Sequence, residues 1–417
     1  MLVGELALAI PPGPVAQSPI DHPKAKLFGG TWDGSSDITE FAQAALNSGG
    51  KVIDFFGLPG RITSSLNIPR GVEVVNANFI AGVPGMKMLL VESNSKVSGS
   101  LTGTGTGTGG NRGVNEWGVY PSQAGVDDVR LDLDIKKVSI GVQIWNRGSG
   151  AVPQRWGGKL RFSDITGGGK MSNGYGLLVS GADNCVFDVF SKNTPRHCVY
   201  LSNGSRGNQI TLQSIGAGGP PVIFGAYNNQ DYVENNIVIA NVSEMNPTSS
   251  ATPYAVGLVG KVRGNKVMVQ VSNSSAALGA VLFRALNSNT VPYDNEAIVY
   301  WHGGYSGGGV VQSDSAFGNT IEVFGEGGSS VEGGGAIVSV NDYNGIPKPQ
   351  GNYEYALFIR RFFWTSHALG ARGVAAYVSY APVGITEEAE QGIKYFGLKM
   401  FSTSGGGQVV VVKRPSI

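Results

Sequence analysis

Two sets of acidic residues in this chain have the types and the neighbours that sugar chemistry requires. The stretch YNNQDYVENN, residues 227–236, carries Asp231 and Glu234 flanked by Tyr227 and Tyr232, and Glu244 follows one segment later. Further on, Glu322 and Glu326 stand in the segment after Tyr300, Trp301 and His302. A carboxylic acid that gives a proton to a glycosidic oxygen, with a carboxylate that activates water or attacks the sugar, is the usual machinery of glycoside hydrolysis. Aromatic rings beside such a pair offer faces on which a sugar can stack. The alternative reading is that these acids only solvate an exposed surface. His197, in PRHCVYLS, reads as a corner or core histidine rather than a base, although Arg196 beside it is suited to an acidic sugar. Proton abstraction beside a uronate by His, Tyr or Arg is a carboxylate-free alternative.

These residues need elements that hold them in register, and a repeat supplies them. Short turns ending in Asn184, Asn208, Asn236, Asn265, Asn295 and Asn319 precede the alternating segments CVFDVF, QITLQS, IVIANVS, KVMVQVS, EAIVYWH and TIEVFGE, at steps of 24, 28, 29, 30 and 24 residues. Alternation of apolar and polar residues marks half-buried strands. Weaker versions begin at Gly49, Gly71, Ser95 and Asp127, and second short strands such as YGLLVS and HCVYLS lie between the anchors. There is hardly room for a crossover helix. Parallel strands without one are reached when the chain winds as a solenoid, each strand stacking on its equivalent in the next coil. Propeller blades repeat at about 40 residues or more, so the shorter step favours an all-β parallel β-helix over a propeller or a sandwich. Asn, which tolerates left-handed backbone and can stack its amide along the axis, suits the corners.

A β-helix places equivalent side chains about 4.8 Å apart. Counting from the anchors, the fifth position forms an outward column of Gln213, Asn241, Gln270 and Tyr300, joined by Asp188 beside Gln213 if the first repeat is shifted by one residue. That is a polar strip suited to sugar hydroxyls. The seventh position sets His302 over Glu326, with Glu322 on the same outward face. Tyr300 and Trp301 are candidates for a sugar-stacking surface, although Trp301 points inward if alternation holds. Carboxylates one coil apart match a retaining glycosidase, and two coils apart an inverting one.

Composition agrees with a turn-rich, weakly charged chain: Gly is 64 of 417 residues, charged residues are 15%, and the net charge is +1. No basic stripe of the kind that binds nucleic acid is present. Cys185 and Cys198 make no disulfide framework and, with four histidines, no metal-ligand set, so they are read as small buried thiols and no cofactor is implied. The opening MLVGELALAI is interrupted by Glu5 and ended by PPGP, which fits neither a signal peptide nor a membrane span. The run GTGTGTG, residues 103–109, lacks the Lys-Ser/Thr pair of a phosphate cradle and reads as a loop or thin coil.

One segment departs from the all-β pattern. In residues 33–62, Asp37 is placed to cap a helix with Ile38, Phe41, Ala44, Ala45 and Leu46 on one face, ending at Gly49 and Gly50. Such a helix would cover the open end of a solenoid, an edge of unpaired backbone groups. The order Asp33, Gly34, Ser36, Asp37, Thr39, Gln43, Ala45, Gly49, Gly50, Val52, Pro59 and Gly60, then LNIPRGVEVV, resembles the N-terminal signature of the pectate-lyase-like right-handed parallel β-helix superfamily. Ser36 and Ile38 depart from the usual Thr and Asp, and Phe56 and Gly57 lengthen the gap before Pro59. Within the superfamily the layout is most similar to bacteriophage tailspikes. The resemblance implies a homotrimer on the virion that binds a bacterial surface polysaccharide and cuts it by hydrolysis. It also lends support to Asp231 and Glu234, because some such glycosidases carry carboxylates in bends between coils. A polysaccharide lyase and a purely adhesive spike are the rival readings.

The expected organisation is therefore an arm over residues 1–28, rich in proline and docking to a phage tail or baseplate protein; a capping helix and β-helix over 29–345; and a small β-rich C-terminal domain over 346–417, dense in aromatics and suited to trimerisation.

Overall fold

A computed structural model describes residues 29–106, 115–146, 151–167, 174–227, 229–246, 254–274, 279–287, 289–302, 310–314, 316, 318–326, 338–341, 357–365, 374–379, 383–385, 398–402 and 407–412. The expected arm 1–28 and residues 107–109 of the GTGTGTG run lie outside these residues.

The fold is a parallel β-helix. Two sheets of 14 strands face each other, and successive coils contribute one strand to each. The first sheet passes in order through Arg130–Lys136, Gly157–Ser163, Val186–Lys192, Gln209–Ile215, Ile237–Ser243, Lys266–Ser272, Glu296–His302 and Asn319–Glu326. Every pairing along that path is parallel and without a register slip. Alternation then does the sorting. Leu133, Leu160, Val189, Leu212, Ala240, Val269, Val299 and Val323 stack inward as one buried column. The second sheet answers with Leu89, Val119, Val142, Leu177, Val199, Val222, Val256, Val281, Val311 and Val338. Each such side chain contributes roughly 1.5–3 kcal/mol by leaving water, and the stack repeats that gain coil by coil.

The corners ahead of the first sheet are held by an asparagine ladder. Asn208, Asn236, Asn265, Asn295 and Asn319 are all buried, and each amide Nδ2 donates to the Oδ1 of the next at 2.8, 2.8, 2.9 and 2.9 Å. Each Oδ1 also accepts the backbone N–H one coil earlier, beginning with Cys185 N to Asn208 Oδ1 at 2.9 Å. The left-handed residue at each corner is the one before the ladder position: Asn184, Gly207, Asn235, Gly264, Asp294 and Gly318, with φ between 54° and 65°. Two expectations change accordingly. The ladder asparagines are selected for their amides and not for left-handed backbone, and Asn184 is a corner residue whose ladder position is taken by Cys185.

The helix Thr39–Leu46 buries Ile38, Ala42, Ala45 and Leu46, whereas Phe41 is exposed. Phe41 and Ala44, which is also exposed, therefore leave the expected apolar face and Ala42 joins it. Asp37 sits one residue ahead of the N-cap position; its Oδ1 accepts from the Thr39 amide and hydroxyl, while Oδ2 accepts from the Thr63 hydroxyl at 2.5 Å. The carboxylate thus ties the helix start to the first coil.

On the far side of 342–356, which lie outside the described residues, Leu357–Thr365 and Val383–Ile385 extend the first sheet in parallel. Val374–Ser379 extends the second. The final strands, Leu398–Ser402 and Gly407–Val412, pair antiparallel. Cys185 and Cys198 are free and buried, and burial pushes the Cys185 thiol up to about 12. Among the described residues no helix is long and apolar enough to cross a membrane and no cluster of metal-ligating side chains occurs.

Candidate functional site

The outward positions of the first sheet make one continuous surface. Its fifth-position column runs Arg161, Phe190, Gln213, Asn241, Gln270, Tyr300 and Phe324, each one coil from the next. The expected order Gln213, Asn241, Gln270, Tyr300 is present. Asp188 is a correction: it pairs with Thr211, not Gln213, because the ladder position of its coil is Cys185. It belongs to a parallel column of Asp132, Lys159, Asp188, Thr211, Ile239, Met268, Ile298 and Glu322.

Two depressions adjoin along these columns. The larger, about 400 Å³, includes Lys159, Arg161, Asp188, Thr211, Gln213 and Asn241. The smaller, about 200 Å³, shares Thr211 and Asn241 and adds Ile239, Met268, Gln270 and Tyr300. Amides and hydroxyls therefore alternate with apolar side chains that have no core to enter: Ile239 is 47% exposed and Met268 38%. The Tyr300 ring stacks on Phe324 at 5.2 Å between centroids. Exposed apolar groups gathered in a depression mark a contact surface rather than a solvated face. Asp188 has no ion-pair partner among the described residues, whereas Asp134 and Asp132 both meet Arg161, the latter at 3.4 Å.

The carboxylates singled out in the sequence have different fates. Glu234 is buried, and its two oxygens meet Arg206 at 3.0 Å and Arg263 at 2.5 Å. The bridges that join Gln154, Asp183, Arg206, Glu234, Arg263 and Tyr293 form a narrow third side of the solenoid, with signs alternating from Asp183 to Arg263. Arg263 also donates to the Tyr293 hydroxyl at 3.0 Å and lies 4.7 Å from the Tyr232 ring centroid. Tyr232 is thus half-buried against Tyr293, while Tyr227 is 55% exposed. Asp231 is exposed and lies over the Gly204 turn of the preceding coil. Glu322 is buried and faces Arg360 at 3.3 Å and Arg361 at 3.9 Å. His302 is exposed and pairs in register with Glu326, one coil on. Trp301 is fully buried, pointing inward as alternation requires, so it supplies no stacking surface.

His197 is a core residue. Its ring stacks on Tyr175 at 5.6 Å, its Nδ1 lies 2.7 Å from the Pro220 carbonyl, and burial lowers its pKa to about 3. Thr211, which alternation turns outward beside Gln213, lines both depressions, whereas Lys159, Arg161, Ile239 and Met268 were missed as lining residues. The signal that finds them is the same alternation, carried back into GGKLRFS, where Trp156 rather than Asn holds the ladder position.

No protein-family model matches this chain, and no curated protein matches it in sequence. Among solved structures, it is similar to ORF18 of Geobacillus virus E2 at 14% identity and a TM-score of 0.48, covering 86% of this chain and 67% of that one. It is also similar to the A-module of the Azotobacter vinelandii mannuronan C-5 epimerase AlgE6 at 14% identity and a TM-score of 0.47, covering 84% of this chain and all of that one.

Proposed function

We propose that this chain is a tailspike-type protein of a phage virion, whose first-sheet face binds a bacterial surface polysaccharide and depolymerises it by hydrolysis. The observation that carries the reading is the pair of adjoining depressions, where Thr211, Gln213, Asn241 and Gln270 offer hydrogen-bonding groups beside the exposed Ile239, Met268 and Tyr300. Sugars present both kinds of surface, hydroxyl edges and C–H faces, so a site for them is lined in this mixed way. The capping-helix signature supports the tailspike layout, including a homotrimer and an arm 1–28 that docks to the tail or baseplate.

For cleavage the best-placed pair is Asp188 and Asp132. They flank Lys159 in one column, two coils apart, a separation of about 9–10 Å from the coil spacing. That is near the span of an inverting pair. One of the two serves as the base that activates water and the other as the acid that protonates the leaving oxygen; Asp132 also meets Arg161. Asp231 and Glu326 are the remaining candidates. A binding-only spike is the second reading, and it is favoured by Glu234 and Glu322 being held by arginines.

Incubation with capsule, lipopolysaccharide and exopolysaccharide from a panel of strains, followed by product masses, separates the readings. Hydrolysis adds one water per cut and raises reducing ends; a lyase adds none and leaves an unsaturated uronate. Asp188→Asn is expected to abolish cutting while leaving binding. Binding without any shortening of the polymer assigns the adhesive role.

A further inference from the structure

The second sheet carries its own aromatic group on the opposite side of the solenoid. Trp117 and Tyr120 lie in the strand Trp117–Pro121, and Gln143 and Trp145 in the next coil's strand Ile140–Trp145. The two strands pair Trp117 with Ile140 and Val119 with Val142, which sets Tyr120 against Gln143. The Tyr120 ring meets Trp117 edge-on at 6.0 Å and 76°, and Trp145 at 6.4 Å and 72°. The Lys87 ammonium lies 3.9 Å from the Tyr120 centroid and 5.6 Å from that of Trp117.

The interior does not call for this group, since the inward column of these strands is already filled by Val119 and Val142. Tyr120 is 3% exposed and acts as a wall, while Trp145 keeps 38% of its surface in water. The Trp117 Nε1 donates to Gln143 Oε1 at 2.7 Å. That bond fixes the amide's orientation, leaving its N–H groups without a partner among the described residues. An aromatic face held rigid by its neighbours, with an oriented amide donor and an ammonium beside it, matches one chemistry: the C–H face of a pyranose with hydroxyls at its edge. Aromatics fixed in this way lose little freedom on binding.

We propose that Trp145, Trp117, Gln143 and Lys87 form a second saccharide-binding platform, distinct from the first-sheet depressions and taking a pyranose unit of the same polysaccharide. The proposal rests on a polysaccharide being the partner of this chain. Two contacts on opposite sheets let one spike hold two strands of a polymer, raising avidity without tightening either site.

The test is retardation of the full chain in gels containing the capsule and lipopolysaccharide preparations of the strain panel, with dextran as control. Trp145→Ala is expected to lower retention about fivefold, the size of a single stacking contact, and Trp145→Phe to recover most of it, with melting temperature and sedimentation coefficient unchanged. Gln270→Ala with Tyr300→Ala lowers retention separately and additively. Wild-type retention by Trp145→Ala on every polysaccharide that the wild type binds overturns the platform and leaves the first-sheet site standing. A change in sedimentation coefficient overturns it in favour of an interface between copies. Loss of retention in Trp145→Ala alone keeps the platform and sinks the first-sheet site, and a wild type retained by none overturns both.

Discussion

The corner and the outer face of the first sheet belong to the same coils, yet they follow opposite rules. At the corner one residue type recurs, Asn208 to Asn319, and each amide from Asn236 to Asn295 is bonded to the asparagine above and the one below. On the face, three residues past the ladder position, one column changes from Asp132 through Lys159, Asp188 and Thr211 to Ile239, Met268 and Glu322. A buried amide has few acceptable substitutes because an orphaned donor or acceptor costs about 1–3 kcal/mol. An outward side chain is free to vary, so specificity accumulates there. Repetition carries the scaffold, and in the proposed reading variation carries recognition.

The sharpest way to break that contrast is at the ladder. Asn236→Ala removes the acceptor of the Asn208 amide and backbone N–H and the donor to Asn265 and to the Ser205 carbonyl. A loss of about 3 kcal/mol in denaturant unfolding is expected, more than one unsatisfied group costs. A loss below about 1 kcal/mol would mean that the coils close up without the ladder.

His197 sharpens the contrast on the second sheet. Its folded pKa is depressed to about 3 from an ordinary 6.5 by burial, then opposed by the Pro220 carbonyl. The unfolded chain therefore takes the proton first. The histidine's contribution is whole above pH 6.5 and is lost as pH falls toward about 3, with a slope of up to about 1.4 kcal/mol per pH unit. His197→Phe, which keeps a ring against Tyr175, is expected to flatten that acid limb; an unchanged slope would place the proton uptake elsewhere.

Glu234→Gln tests whether the third side is scaffold or chemistry. Both arginines are about half exposed, 52% and 44%, so the discounted loss is about 1–2 kcal/mol, below that of a fully buried pair. Activity per folded molecule stays unchanged. Loss of cutting at full stability would return Glu234 to the catalytic set. Smallest of all in stability is Gln213→Ala with Asn241→Ala on the open face, within about 0.5 kcal/mol, while polysaccharide affinity falls several-fold.

This division also accounts for what could be read in advance. Periodic features were legible: the coil length, the strand alternation, the inward Trp301, the column Gln213 to Tyr300 and the pairing of His302 with Glu326. Failures came where a coil breaks its own pattern. Asn184 imitates the ladder because the left-handed slot and the amide slot are adjacent and both accept Asn, and that single slip displaced Asp188. Trp156 hid the coil of Lys159 and Arg161. The arginines on Glu234 come from neighbouring coils and those on Glu322 from a strand beyond residue 356, so no local pattern announces that these carboxylates are engaged. Phe41 is exposed because an eight-residue helix has room for only one buried stripe, and Ala42 and Ala45 let it lie close to the coil.

The most direct test of the central claim is hydroxyl-radical footprinting of the chain with and without the polysaccharide that it retains. Met268 and Tyr300, exposed within the first-sheet depressions, are expected to become protected, while Phe41 at the capping helix keeps its rate of oxidation. Unchanged oxidation of Met268 and Tyr300 with polysaccharide bound would contradict the account.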